Sequence, residues 1–116
     1  MNPYDQAHAL AASLKESEEY REFARLKEIA YADETNRALL NEYKRLQFRL
    51  QAKLASGEEL PPEDSGRLMQ LGTLLQFNSD VAAFLLAEFR FQRMLTDIFK
   101  ILSDVAGVDL DMLAQG

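Results

Sequence analysis

From Ser79 to Ala106 apolar residues recur at helical spacing with no proline or glycine to interrupt them. This pattern predicts one helix about 42 Å long. On a wheel of 100° per residue, Val81, Phe84, Leu85, Phe91, Leu95, Ile98, Phe99, Leu102 and Val105 form a broad stripe. That stripe reads as a core face, with Leu95 and Phe99 at its packed centre. Ala83, Leu86, Met94 and Ile101 make a narrower stripe on the opposite side, interrupted by Arg90 and Asp97. A helix apolar on two sides needs neighbours on two sides. A compact globule of this length has a radius of gyration of about 13 Å, so so long a rod implies elongation or self-association. Closed two-fold dimers are the commonest assemblies, and Leu86, Met94 and Ile101 are the expected oligomer interface.

The rest of the chain also reads as helix. Asn2 before Pro3 is an N-cap signal, opening a helix whose inward face is Tyr4, Ala7, Leu10 or Ala11, and Leu14. Ser17 with Glu18 and Glu19 marks a second start, after a kink or break near residues 16–18. Asp33 caps a third segment, in which Leu39, Tyr43, Leu46, Leu50 and Leu54 trace one stripe toward Gly57. The stretch from Gly57 to Gly66, with Pro61 and Pro62, reads as a turn between two helical arms. Leu68, Leu71 and Leu75 then form a shorter stripe, and Gly72 beside it is expected to admit a neighbouring backbone. Asn78 is placed to cap the long helix and Gly107 to end it. The expected organisation is a single helical domain over residues 1–107 and an acidic tail over 108–116. The fold class is all-α: an elongated antiparallel helical bundle completed by dimerisation.

Composition narrows the function classes. The 116 residues are 47% hydrophobic and 28% charged, the balance of a folded soluble chain. No apolar run reaches the roughly 18 residues that cross a bilayer, and the N-terminal sequence lacks the form of a secretory signal, so a cytoplasmic location without membrane contact is expected. Zero cysteines exclude disulfides, thiolate catalysis and metal held by sulfur from this chain. The net charge of −6 opposes a wholly nucleic-acid-binding surface. Its distribution is uneven: residues 36–57 hold five bases and one acid, whereas residues 1–35 hold eight acids and four bases and residues 58–80 five acids and one base. Such alternation pairs adjacent antiparallel helices at their polar rims.

Candidate chemistry is sparse. Glu88 lies within the broad apolar stripe, where a carboxylate needs a cation or several hydrogen bonds, so it reads as a buried polar residue in an ion pair that fixes helix register. His8 is the single histidine and has no partner motif, which makes it a packed or rim residue. Lys44, Arg45, Arg49 and Lys53 form a basic ridge beside the leucine stripe. They flank a helix seam or, in the alternative reading, meet RNA as part of an accessory module, although no aromatic platforms are interleaved with them. Phe48 and Leu40, off the main stripe, join this ridge as a candidate partner surface. No phosphate loop, nucleophile elbow, carboxylate pair or metal motif is present, so neither an enzyme nor a cofactor is expected.

The segments YDQAHALAASLKESEEYREF, LQFRLQAKLASGEEL and NSDVAAFLLAEFRFQRMLTDI, in this order from Tyr4 toward Leu102, resemble the YlbF/YmcA family and its short YheA-like members. The resemblance implies an all-helical, cytoplasmic, self-associating bacterial protein without enzymatic activity. It further implies a regulatory role through protein partners, as in relatives that influence competence, biofilm and messenger RNA processing. Some relatives carry C-terminal cysteines for an iron–sulfur cluster. Lacking cysteine, this chain cannot inherit that property.

Overall fold

The computed structural model describes residues 2–107. The acidic tail expected over 108–116 lies outside the described residues. Five helices follow one another: α1 Pro3–Glu16, α2 Glu18–Ala32, α3 Glu34–Ala55, α4 Pro62–Gln76 and α5 Ser79–Ala106. Among the described residues there is no strand. Four of the five starts carry a side-chain cap. Asn2, Ser17, Asp33 and Asn78 accept from the backbone N–H of Tyr4, Tyr20, Thr35 and Val81, each satisfying a donor that the first helical turn leaves free. Gly107 closes α5 at φ 71°, a left-handed conformation that costs glycine little.

The turn around the two prolines is shorter than its sequence suggests. Pro62 occupies the first position of α4, where no N–H donor is needed, and Glu63 and Asp64 sit at the positive end of that helix. Residues 62–66 are therefore helical, and only 56–61 form the connection.

α2 and α5 pack antiparallel, Tyr31 of α2 against Phe84 and Tyr20 against Phe91. The core is centred where α2, α3, α4 and α5 converge: Ala30, Leu40, Leu75, Val81 and Phe84 are buried together, with Phe23, Leu26 and Tyr43 partly buried around them. Leu46, Leu60 and Leu71 are the other buried leucines, in the α3–α4 arm. The described residues have a radius of gyration of 16.9 Å and extents of 51 × 36 × 16 Å, an elongated and shallow shape.

Three packing expectations change. Full burial in α5 is confined to its first half, at Val81, Phe84 and Ala87; Phe91 already meets Tyr20, close to the first residue of α2. Leu95 and Phe99 are half-buried, and Val105 is 89% exposed. Leu40, read as a partner surface, is fully buried: near the start of α3 three other helices surround it, so the buried arc is wider there than one leucine stripe. At Gly72 no backbone approaches; a Cβ there would meet only the Tyr43 ring, at 3.8 Å, an ordinary contact. Gly72→Ala is thus expected to stabilise the fold by about 0.5–1 kcal/mol through helix propensity, measured by urea unfolding.

Candidate functional site

α3 and the first half of α5 enclose a groove of about 500 Å³. Lys44 donates across it to Glu88, and the pair joins the two helices. Three glutamines line the groove, Gln47 and Gln51 from α3 and Gln92 from α5, together with Phe48 and Phe89, which are 72% and 60% exposed. Glu88 is part-buried rather than enclosed, its side chain 17% exposed where it lines the groove. The Lys44 ammonium also lies 5.5 Å from the centre of the Phe84 ring, so a cation–π contact supports it from the core side. The Tyr31 hydroxyl is pushed up from its ordinary pKa, first by burial and then by the charge of Glu88.

Removal of either partner leaves the other a part-buried, unsatisfied charge. Lys44→Ala and Glu88→Ala are each expected to cost about 1–3 kcal/mol, and the double variant less than their sum. A double-mutant cycle in urea measures this. Strict additivity would show that the pair contributes no coupling.

Two further residues of the basic ridge are drawn into similar contacts. Arg49 pairs with Asp64 of α4 at 3.1 Å and Lys53 with Glu58 at 3.0 Å. Arg67 of α4 donates twice to Glu42 of α3, both bonds 2.8 Å long. This fork holds the Glu42 carboxyl below the usual carboxylate range, with Arg45 adding a smaller attraction. Lys53 likewise lowers Glu58. The basic middle helix thus meets acids of the next helix and its connection. Of the residues assigned to a partner surface, Phe48, Arg45 and Arg49 are exposed, Lys44 and Lys53 are part-covered, and Leu40 is absent from the surface.

The second apolar face of α5 is open at both ends. Leu86 is 51% and Ile101 65% exposed, and Met94 between them is partly covered. α1 contributes no buried residue, and His8 lies exposed upon it. Two features escaped sequence reasoning. Phe89 falls between the two stripes of α5, and its only signal was an aromatic residue at a polar position. The bareness of α1 left no signal, since its apolar spacing is that of a packed helix. Among the described residues no group of three or more His, Asp or Glu side chains is placed to hold a metal ion. No described helix is long and apolar enough to cross a membrane.

Residues 4–105 match the family model described as control of competence regulator ComK, YlbF/YmcA. A UPF0342 protein of Caldicellulosiruptor bescii is 37% identical over 103 residues, covering 89% of this chain and 87% of the relative. A UPF0342 protein of Symbiobacterium thermophilum is 35% identical over 107 residues, covering 92% and 96%. The solved structure of a Protein of Unknown Function (DUF964) from Bacillus stearothermophilus has the same fold, with a TM-score of 0.74 at 20% identity over 90% of this chain and 91% of the other. With the family model matching almost the whole described length and these relatives aligning over most of both chains, the chain belongs to the YlbF/YmcA family.

Proposed function

We propose that this chain is a non-enzymatic regulatory protein of the cytoplasm that self-associates, as a dimer, and presents its groove side to a protein partner. The observation that carries this reading is the uncovered apolar surface of α5. Leu86, Ile101 and Val105 stand in solvent along it, Ile101 and Val105 one turn apart near its far end. Exposed apolar area of this kind marks interaction surface. The expected interface is centred on Leu86, Met94 and Ile101. The groove between Phe48 and Phe89 remains on the other helical faces, available to a different protein.

The family description, control of a competence regulator, agrees with a role exercised through contacts and not through turnover. RNA binding by the basic ridge has weaker support, because Lys44, Arg49 and Lys53 each already face a carboxylate. Light scattering on the purified chain at micromolar concentration is the test. The expected mass is twice 13.2 kDa. A single-chain mass would overturn the self-associating reading.

A further inference from the structure

Two apolar surfaces of this chain lack a partner, and they match each other. In α1, Tyr4, Ala7, Leu10, Ala11 and Leu14 fall within an arc of about 120° at helical spacing. Only Leu14 among the residues of α1 is even partly covered. A helix of 14 residues is marginal by itself in water, so what holds α1 must lie outside its own exposed surroundings. In α5, the residues after Leu95 run on for about 16 Å, with Ile101, Leu102 and Val105 exposed. α1 is about 21 Å long, close to the length of that bare end.

Within one protomer α1 packs mainly on α2, and α1 with α5 is not among the closely packed helix pairs. α2 begins beside Phe91, where Tyr20 packs edge-on against its ring. Immediately before it, Ser17 takes an extended conformation with ψ 151°, which breaks the helical line between α1 and α2. We infer that α1 is an exchange arm, its Tyr4–Leu14 face packing on the Ile101, Leu102 and Val105 end of α5 in a second copy of the chain. The inference rests on the self-association proposed above and extends its interface beyond Ile101, placing α1 of the second copy on the last turns of α5.

The arithmetic favours reciprocity. Half the surface of a cylinder about 21 Å long and about 10 Å across is about 330 Å². One such face falls short of the roughly 800 Å² per partner buried in a stable interface. Around a two-fold axis each protomer gives one arm and receives one, which doubles the contact to about 660 Å² per partner, inside the lower part of the range of about 600–1,000 Å² for standard interfaces. Ala7 and Ala11 in the middle of the arm allow the helix axes to approach at the short end of the usual 8–10 Å.

The absence of cysteine makes engineered cross-linking clean. Two differently tagged chains, one carrying Ala11→Cys and the other Val105→Cys, are co-expressed and oxidised, with Ala7→Cys and Leu102→Cys as a second combination. Because each chain carries one thiol, every disulfide joins two copies. The expected product is the mixed disulfide, in several-fold excess over either like pair, in at least one combination. Light scattering on the wild-type chain separates the two levels of failure. A dimeric mass with only Val105→Cys or Leu102→Cys like pairs means that two α5 ends face each other, and it overturns the arm while leaving self-association intact. A dimeric mass with no linkage in either combination also overturns the arm. A monomeric mass overturns both.

Discussion

Phe84→Ala is expected to lower the unfolding free energy by about 3–5 kcal/mol. The ring is fully buried where four helices converge, stacked on Phe23 at 5.9 Å and meeting the edge of Tyr31 at 5.6 Å between centroids. Its loss removes the aromatic contacts and opens a cavity that α2, held also by Ala30, cannot fill without moving. The Lys44 ammonium loses the ring face on which it rests, so the ion pair with Glu88 weakens as well. Chemical denaturation monitored by circular dichroism measures the change. A loss below about 1 kcal/mol would place the centre of the core elsewhere.

Leu40→Ala should cost about 2–5 kcal/mol and act through stability, with no separate effect on partner binding. This outcome distinguishes the buried position from the surface position that its place beside the leucine stripe suggests. Phe48→Ala is the natural control: the side chain is 72% exposed, and surface changes away from special features stay within about 0.5 kcal/mol. If Leu40→Ala and Phe48→Ala had equal small effects in the same denaturation experiment, the convergence of α2, α4 and α5 on α3 would be wrong.

Helix identity and boundaries were legible because their causes are local. The caps at Asn2, Ser17, Asp33 and Asn78 act within three residues of the backbone donors that they satisfy, and a glycine that can take positive φ ends α5. The Glu88 ion pair was legible for a similar reason, since a carboxylate in an apolar stripe demands a cation. Which cation was not, because Lys44 is forty-four residues away and only the packing of α3 and α5 against α2 and α4 brings the two together. The depth of burial was also hidden. Periodicity gives Leu95, Phe99 and Val105 the same rank as Val81 and Phe84, but only the second pair is fully buried, where four helices converge. Leu40 shows the converse, an off-stripe residue buried because helices approach it from more than one side.

The shallow third dimension, 16 Å, has a further consequence. With helix axes spaced about 8–10 Å, such a depth holds no more than two helices, so a protomer has scarcely any interior beyond its single four-way crossing. A plate of this kind exposes less new area on unfolding than a sphere of equal mass. Its urea m-value and heat-capacity increment should accordingly sit at the low end for its length.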